Sequence, residues 1–395
     1  MSRLDELINE YCPDGVEYKE IKDVYKRLKG TAITAKKMKE IQSEDGEIKI
    51  FAGGKTVVNA KEKDIPNANI IRVPSVLVQS RGIIDVVFYD KPFTFKNEMW
   101  AYTNKNIISV KYLFYILKNN INKFREAAAG MGSLPQISLK TTENFKIPIP
   151  PLPVQEEIVR ILDNFTELTA ELTAELTARK KQYEYYRDEL LNFNQGNLVS
   201  KLADIAEIST GSSNTDEAVE DGKYPFYVRS QEPLRKNTYE YDEEAIITAG
   251  DGVGVGKVFH YVKGKYALHQ RAYRIHPSAS NVCGKYLYHY FVAKFPRYIE
   301  KQMYQGSVPS IRRPMLNNFR VVIPSVETQK RIVDVLDNFD SICSDLNIGL
   351  PAEIEARQKQ YEFYRDQLLT FAENGNTILT DRQTDRQTDR QTDRI

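Results

Sequence analysis

Two long blocks of this sequence occur twice, and this internal repeat limits the possible folds more than any other feature. VRILDNF (159–165) recurs as VDVLDNF (333–339), an offset of 174 residues that also superimposes two Gly-Ser-x-Pro loops and two Ile-Pro pairs. RKKQYEYYRDELL (179–191) recurs as RQKQYEFYRDQLL (357–369) at an offset of 178, so the second copy is four residues longer between these blocks. Self-similarity on this scale indicates a duplicated structural unit. The sequence therefore predicts two similar halves related by a pseudo-twofold.

The first repeated block predicts a long helix. After Pro153 the chain runs to Phe193 without Gly or Pro, and its apolar residues recur mostly every three or four positions. About 39 residues at about 1.5 Å each give a helix of roughly 58 Å, which is longer than a small domain. The second copy is the expected partner, packed antiparallel, although Gly349 and Pro351 should break or kink it.

The regions that precede the two helices have mixed α/β character. Residues 69–90 and 243–268 each contain β-branched runs interrupted by a turn, which is Ser80-Arg81-Gly82 in the first region and a glycine-rich stretch in the second. Beyond this plan and the closing Gly-Ser-x-Pro loop, we expect the two regions to share little. The predicted fold class is α+β, with two mixed α/β domains separated by two long antiparallel helices and related by an internal pseudo-twofold repeat. The expected boundaries are 1–152 for the first domain, 153–196 for the first spacer helix, 197–325 for the second domain, 326–372 for the second spacer helix and 373–395 for a disordered repeat tail.

The net charge of +1 conceals an uneven distribution. Residues 1–152 carry 24 Lys+Arg against 18 Asp+Glu, a balance of +6, and residues 197–325 carry 17 against 13, a balance of +4. The segments 153–196 and 326–378 are acidic, with 5 against 9 and 5 against 10. Phosphate contacts need local rather than overall positive charge, so both domains are compatible with nucleic-acid binding.

Motifs of common catalytic and metal sites are absent from the sequence. The glycines before Lys257 lack the first Gly and the final Ser/Thr of a phosphate-binding loop, and they predict a tight turn that lets backbone approach DNA. The acidic residues from Asp14 to Glu17 are too close together for a nuclease centre, and no His/Cys pair has zinc-site spacing. No adenine-methyltransferase tetrapeptide occurs. The sequence predicts a non-catalytic protein.

Composition also bears on the compartment. The three cysteines are far apart in the chain, which favours a reducing environment over a disulfide framework. No apolar run approaches the roughly 18 residues needed to cross a membrane. The first residues lack the basic and apolar regions of a signal peptide. We therefore expect a cytoplasmic protein.

Two short repeats suggest that the gene itself varies. The end of the chain, TDRQTDRQTDRQTDRI (380–395), has the low complexity of a disordered segment, and an ACAG tract would encode Thr-Asp-Arg-Gln in every reading frame. Slippage in such a tract would make the C-terminus phase-variable; an inert tail with ordinary codons is the alternative. Thr169-Ala170-Glu171-Leu172 recurs as Thr173-Ala174-Glu175-Leu176, a unit whose gain or loss keeps the frame. We interpret this second repeat as a ruler within the helix, although it is also compatible with a merely tolerant stretch.

With these features in place, the chain resembles the specificity subunits of Type I restriction-modification systems over nearly its whole length. The resemblance is carried by the opening LDELINEYCPDGVEYKEI, the loops GSLPQIS and GSVPSIR, the Ile-Pro-Pro-Leu-Pro-x-Gln-x-x-Ile helix start and the endings KKQYEYYRDELL and QKQYEFYRDQLL. It implies two target-recognition domains, each reading one half of a split site in double-stranded DNA. It also implies two modification (methyltransferase) subunits docked on the helices and restriction subunits that complete the nuclease. S-adenosylmethionine, ATP and magnesium would then belong to the partners, with no cofactor or metal in this chain.

Base readout requires polar side chains at groove edges, with others on phosphates. A single charged candidate is often just a solvated surface residue, but a loop position near a Gly or Pro break distinguishes Arg81, Lys257, Arg312 and Arg313. In the first domain the candidate DNA-binding residues are Lys36, Lys37, Lys55, Gln79, Ser80, Arg81 and Gln136. In the second they are Arg229, Ser230, Gln231, Arg235, Lys257, Gln270, Arg271, Arg312 and Arg313.

Two other classes of protein remain open at this point. One is an enzyme such as a nuclease fused to a coiled coil, against which the missing carboxylate cluster argues. The other is a non-catalytic helical adaptor or scaffold without specific DNA readout. Specific DNA binding in the presence of modification subunits distinguishes the leading interpretation from both.

Overall fold

The computed structural model describes residues 2–53, 56–128, 135–193, 196–302, 309–344 and 348–371. The chain divides into two units, unit 1 from Met1–Glu171 with Glu355–Ile395 and unit 2 from Leu172–Ile354. Each unit contains one mixed α/β domain together with helix from both repeated blocks. The expected tail at 373–395 lies outside the described residues, as do both Gly-Ser dipeptides of the closing loops.

Unit 1 is built around a four-stranded sheet and a three-stranded sheet. The four-stranded sheet has the order β2-β8-β5-β6, and the three-stranded sheet has the order β4-β3-β7 with β3 and β7 parallel, while β1 pairs with β9 separately. The strands are β1 (Tyr18–Glu20), β2 (Lys26–Leu28), β3 (Ile48–Phe51), β4 (Val57–Ala60), β5 (Ser75–Gln79), β6 (Asp85–Tyr89), β7 (Phe93–Phe95), β8 (Trp100–Thr103) and β9 (Lys146–Pro148). The helices are α1 (Arg3–Tyr11), α2 (Ile21–Val24), α3 (Ala35–Glu40), α4 (Ile107–Asn119), α5 (Ile121–Ala128), α6 (Leu139–Glu143), the first part of α7 (Leu152–Leu190) and most of α12 (Leu350–Leu369).

Unit 2 repeats this topology in one six-stranded sheet. Its order is β11-β16-β14-β15-β12-β13, with β12 parallel to β15, and β10 pairs with β17 separately. The strands are β10 (Leu198–Lys201), β11 (Ala206–Thr210), β12 (Tyr224–Tyr227), β13 (Leu234–Lys236), β14 (Tyr241–Ala249), β15 (Phe259–Leu268), β16 (Ala272–Pro277) and β17 (Arg320–Ile323). The helices are α8 (Leu202–Ile205), α9 (Gly284–Glu300), α10 (Arg313–Asn317), α11 (Val326–Ser344) and the second part of α7. The single strand β15 takes the place of both β6 and β7, because it pairs with β14 along most of its length and with β12 at its end.

The beginning and the end of the chain share the main core of unit 1. Leu4 and Ile8 from α1 belong to the same buried cluster as Leu368, Leu369 and Phe371. The hydroxyl of Tyr18 donates to the carbonyl of Phe371 at 2.8 Å. The opening segment therefore packs beside the end of the second spacer helix.

The spacer helices follow the sequence prediction closely. Helix α7 is continuous over 39 residues. The second copy is divided, since α11 ends at Ser344 and α12 begins at Leu350, where Gly349 and Pro351 were expected to interrupt it. The two copies of mixed helix and sheet with the long helix α7 between them confirm the predicted fold class.

The glutamine that starts each spacer helix is buried for a structural reason. The Gln155 side-chain amide donates to the Pro150 carbonyl at 2.8 Å, and Gln329 donates to the Pro324 carbonyl at 2.9 Å. Pro150 and Pro324 lie between the preceding strand, which ends at Pro148 or Ile323, and the spacer helix, and the glutamine amide satisfies their buried carbonyls. The repeated Ile-Pro…Gln motif therefore fixes the junction between domain and helix.

The two domains are more alike than the sequence analysis predicted. At the constant offset of 174, Lys111-Tyr112 in α4 recurs as Lys285-Tyr286 in α9. The contacts recur as well, because each tyrosine hydroxyl donates to a carbonyl of the strand before the spacer helix, at 3.2 Å in the first domain and 2.7 Å in the second. The expectation that the domains share little beyond their plan and closing loop is therefore wrong for this helix.

The same helix fastens each domain to its spacer. In unit 1 Asp163 accepts from Lys111 and Tyr115, both at 2.6 Å. In unit 2 the equivalent Asp337 contacts Lys285 at 3.4 Å and His289 at 2.7 Å. In both units the aspartate of the repeated Leu-Asp-Asn-Phe motif therefore binds the helix of the domain to the spacer helix, which explains its presence in both copies.

Candidate nucleic-acid interface

One turn occupies the same place in both domains, and most of the candidate residues gather around it. In the first domain it follows β5, where the Ile137 amide donates to the Ser80 carbonyl at 2.9 Å and the Gly82 amide donates to the Pro135 carbonyl at 2.8 Å. The chain that returns from the closing loop therefore pairs with the turn and holds it.

The second domain repeats these bonds. After β14, the Ile311 amide donates to the Gly250 carbonyl at 2.8 Å and the Gly252 amide donates to the Pro309 carbonyl at 2.9 Å. Gly82 and Gly252 have φ of 77° and 79°, a left-handed conformation that glycine adopts without strain. Arg81 and Asp251 are thus the tip residues of two equivalent turns.

The first-domain tip presents a cation. Arg81 is exposed, and its backbone forms an antiparallel β-bridge with that of Gln136 on the returning chain, which is exposed too. Gln79 and Ser80 are buried, and the Ser80 hydroxyl donates to the carbonyl of Glu98 in the neighbouring turn. Burial gives Gln79 and Ser80 a role in holding the turn, whereas Arg81 and Gln136 have side chains available to a ligand.

A carboxylate between two guanidinium groups forms the second-domain tip. Asp251 accepts from Arg229 at 2.7 Å through one oxygen and from Arg271 at 3.3 Å through the other. The side chains of Arg229 and Arg271 remain 42% and 61% exposed, while that of Asp251 is 24% exposed. Each guanidinium group gives one of its five N–H donors to Asp251 and keeps others for a partner.

His269 holds the turn that carries Arg271. Its ring is buried, and its Nδ1 accepts from the Arg271 amide at 3.0 Å, which requires Nδ1 to be unprotonated. Burial lowers the pKa of His269, and the positive charges of Arg229 and Arg271 lower it further. The neutral imidazole thereby keeps the turn that carries Arg271 in place.

The structure brings most of the remaining second-domain candidates to the loops around this cluster. Ser230 and Gln231 follow Arg229 and are exposed, and the Ser230 hydroxyl donates to the Glu232 carbonyl at 2.7 Å. Lys257 is exposed after the glycine-rich turn, and Gln270 precedes Arg271 and donates to Asn214. Arg312 and Arg313 are exposed after the returning segment, where Arg313 also donates to the Ile208 carbonyl.

Three candidates lie elsewhere and one cannot be placed. Arg235 belongs to the β12–β13 hairpin, where its Nε donates to the Gly222 carbonyl at 2.6 Å. Lys36 and Lys37 lie on α3, and Lys37 is 3.7 Å from Glu40. Lys55 lies outside the described residues. The structure thus gathers the second-domain candidates far more closely than those of the first domain.

Sequence reasoning missed Asp251, Glu98 and His269. The residue types that read bases and phosphates are mainly cationic, amide or hydroxyl side chains, so a carboxylate in a loop gives no signal of its own, and a lone histidine between strands belongs to no motif. The matching backbone hydrogen bonds of the two turns identify Asp251, because it lies at the position that Arg81 takes in the first domain.

A second repeated surface lies on the spacer helices. Tyr185 in α7 and Phe363 in α12 are equivalent at the offset of 178, and they are 64% and 59% exposed. The groove beside Tyr185 is lined by charged and amide side chains, and the second repeated block has the same or a similar residue at each position. The groove residues are Lys181, Glu184, Asp188 and Glu189 in α7 and Asn192 just after it, equivalent to Lys359, Glu362, Asp366 and Gln367 in α12 and Thr370 just after it. Large aromatic side chains exposed in matching surroundings are typical of protein interfaces.

Within the described residues, no group of three or more His, Cys, Asp or Glu side chains is arranged to hold a metal ion. No helix in this part of the chain is long and apolar enough to span a membrane. Cys12, Cys283 and Cys343 are free thiols.

Comparison with known proteins identifies relatives over most of the chain. The family model described as Type I restriction modification DNA specificity domain matches twice, at residues 13–179 and 194–356. The Type I restriction enzyme EcoR124I/EcoR124II specificity subunit of Escherichia coli is 35% identical over 318 residues, covering 73% of this chain and 77% of that protein.

Solved structures share the fold. The crystal structure of a Type I restriction-modification system S subunit from M. genitalium has a TM-score of 0.61 at 16% identity and covers 90% of this chain and 95% of its own. A chain from a structural study of complex assembly and conformational transition in the type I R-M system has a TM-score of 0.54 at 12% identity, covering 90% of this chain and 98% of its own.

Proposed function

This chain belongs to the family of Type I restriction-modification DNA specificity proteins, and we propose that it reads a two-part site in double-stranded DNA for partner subunits. Family membership makes it the non-catalytic subunit that confers DNA sequence specificity. The observation that carries the two-part site is the pair of equivalent turns with different tip chemistry. One domain presents Arg81, and the other presents Asp251 between two arginines. Two readers on one duplicated frame, with different side chains at the same place, suit two different half-sites.

The repeated helix surface supports a partner on each copy. We propose that two modification (methyltransferase) subunits dock at Tyr185 and Phe363, one on each, and that restriction subunits join this assembly. The argument rests on equivalence, since both residues are exposed aromatics in similar charged surroundings. A partner that recognises one surface should recognise the other.

Cofactors and compartment follow from this division of labour. S-adenosylmethionine would serve methyl transfer, and ATP and magnesium would serve DNA translocation and cleavage. None of these reactions is carried out by a subunit that only reads sequence, so we propose that the partner subunits hold these groups. The proposed location is the cytoplasm, where the host DNA and the partners are found.

The experiment combines purified chain with the modification subunit of its own host. We expect the complex to methylate a bipartite sequence, found by sequencing modified bases, and to bind a duplex of about 40 base pairs that contains it. The purified chain alone should methylate nothing. Methyl transfer by the isolated chain would contradict the proposal. Equal binding of the complex to all duplexes would instead favour the adaptor without DNA readout.

A further inference from the structure

The neighbouring turns of the two domains carry opposite charges at equivalent positions. In the first domain the Met99 amide donates to the Lys96 carbonyl at 2.9 Å, and in the second the Ala272 amide donates to the His269 carbonyl at 3.0 Å. These matching bonds make Glu98 equivalent to Arg271, since each directly precedes the residue whose amide closes its turn.

Together with the tips, this equivalence describes an exchange of charge. The first domain has Arg81 at the tip and Glu98 beside it, whereas the second has Asp251 at the tip and Arg271 beside it. Glu98 is held by Lys96 at 2.9 Å. Each domain therefore carries one cation and one carboxylate in its two neighbouring turns. The cation is at the tip in the first domain and in the neighbouring turn in the second.

The second-domain arrangement fixes the direction of a guanidinium group. Asp251 is itself fixed, because its turn is held by the returning chain at Ser310 and by the left-handed Gly252. A hydrogen bond from one guanidinium N–H to this carboxylate orients the guanidinium group before any ligand binds. The entropy cost of a bidentate contact through the remaining N–H groups is therefore lower.

The carboxylate also favours a base over a phosphate as the ligand. A phosphate oxygen beside Asp251 would meet like charge, whereas the edge of a base is neutral and accepts hydrogen bonds without that penalty. The base edge with two adjacent acceptors for an arginine fork is that of guanine, through O6 and N7 in the major groove.

We propose that Arg271, positioned by Asp251, contacts a guanine in the half-site read by the second domain. Arg271 is the more exposed of the two arginines, while Arg229 lies over the turn, with its Nη1 3.9 Å from where a Cβ on Gly252 would be. Arg229 therefore acts as the second support of the carboxylate. The inference rests on the proposed function, because it requires specific DNA binding by the complex.

The decisive variants keep or remove the charge at Arg271. The probes are duplexes of about 40 base pairs with the wild-type site found by sequencing, and the same duplexes with each base pair of one half-site changed in turn. Wild-type complex should lose roughly 5- to 150-fold in affinity when one G·C pair of the second half-site becomes A·T. R271Q should bind the two duplexes equally, because it removes the guanidinium group, and R271K should discriminate less than the wild type, because lysine keeps the charge but lacks the planar fork. Full discrimination by R271Q, with weaker binding to both duplexes, would mean that Arg271 contacts phosphate rather than the base and would overturn the inference.

Asp251 is tested as a positioning residue. D251N should reduce discrimination at the same base pair as R271K, while D251E, which retains a carboxylate, should restore part of it. The matched control is E327Q, which removes a carboxylate paired with Arg331 at 2.7 Å on α11. A purely structural role for Asp251 would instead lower binding to all duplexes equally, and that result would overturn the inference.

Variants in the two domains show which half-site each domain reads. R81Q should alter base selection in one half-site, and R271Q should alter it in the other. If both variants affect the same half-site, or if the half-site affected by R271Q contains no G·C pair, the inference is wrong. If the wild-type complex itself shows no specific site, the proposed function fails first.

Discussion

Tyr364 stacks on Phe165, with ring centroids 5.8 Å apart and 26° between the ring planes. In unit 2 the equivalent Tyr186 stacks on Phe339 at 5.7 Å and 28°. In each unit the phenylalanine comes from the early part of one repeated block and the tyrosine from the late part of the other. The start of one helix thus lies beside the end of the other, which is the antiparallel packing expected from the sequence. In each unit, the packed pair of helices therefore combines a segment from the first copy of the repeat with a segment from the second.

We predict that these two ring pairs are energetically equivalent. F165A and F339A should each lower the free energy of unfolding by about 1–3 kcal/mol, since both rings are partly buried. Double-mutant cycles of F165A with Y364A and of F339A with Y186A, measured by urea unfolding, should give coupling energies of about 0.5–1.5 kcal/mol each. A coupling energy near zero in one unit would show that the two contacts differ despite their geometry.

A second prediction concerns the left-handed glycine at the second tip. G252A should lower the free energy of unfolding by about 1–2 kcal/mol, because the φ of 79° at this glycine is unfavourable for alanine, although an added Cβ would meet Arg229 Nη1 only at an ordinary 3.9 Å. The control is G53A, where an added Cβ would meet its nearest neighbour at an ordinary 3.7 Å. Urea unfolding measures both costs, and methylome sequencing should show altered base selection in one half-site for G252A. Equal costs for the two variants would contradict this explanation of the turn.

The third prediction tests the aromatic docking surfaces. Y185E and F363E should each weaken the binding of one modification subunit, because a buried glutamate without a partner is costly in an interface. Mass measurement of the assembly should then find one modification subunit for either single variant and none for the double variant. The control V219E places the same charge at an exposed apolar residue that belongs to no helix and should leave two modification subunits bound. Two subunits retained by the double variant would place the docking surface elsewhere.

The fourth prediction is a pH dependence confined to unit 2. All four histidines lie there, and burial lowers the pKa of His260, His269 and His289, although Asp337 acts in the opposite direction at His289. The folded state therefore resists protonation more than the unfolded chain, whose histidines titrate near 6.5. Stability from these groups is present above that pH and is lost as the pH falls through the lowered values of the folded state.

Hydrogen exchange followed by mass spectrometry can assign this loss to a unit. Between pH 7.5 and 5.5, after correction for intrinsic rates, peptides of unit 2 should lose more protection than peptides of unit 1. H289Q keeps a hydrogen-bonding side chain opposite Asp337 and should reduce the difference. Equal losses in both units would show that histidines do not control it.

Periodicity and repetition predicted most of the fold, whereas the site was only partly accessible from sequence. Apolar residues at helical spacing predict the long helix α7, and the helix-breaking residues Gly349 and Pro351 predict the interruption of its second copy. Both signals can be recognised within a short segment of the sequence. Asp251 could not be found in this way, because its importance depends on its contacts with Arg229 and Arg271, which lie in other loops. Gln79 is a predicted DNA-binding residue, and its burial follows from strand pairing that the sequence does not display.

The ruler interpretation of the Thr-Ala-Glu-Leu repeat (169–176) now has a structural basis. Helix α7 is continuous through the repeat, and most of its residues there are exposed, so an inserted unit would disturb little packing. Threonine is accommodated because its hydroxyl can bond back along the helix, as Thr169 does to the Phe165 carbonyl at 2.8 Å and Thr177 to the Thr173 carbonyl at 2.9 Å. The segment is therefore able to lengthen as helix.

We predict that gain or loss of one four-residue unit changes only the gap between the two half-sites. Four helical residues add about 6 Å along the axis and a turn of roughly 40° beyond a full revolution. B-DNA advances about 3.4 Å per base pair, so the gap should change by one or two base pairs. The half-site bases should stay the same, because the turns at Arg81 and Asp251 are untouched. Methylome sequencing of both length variants measures gap and bases together. An unchanged gap would reject the ruler, and altered half-site bases would mean that the helix influences the reading turns themselves.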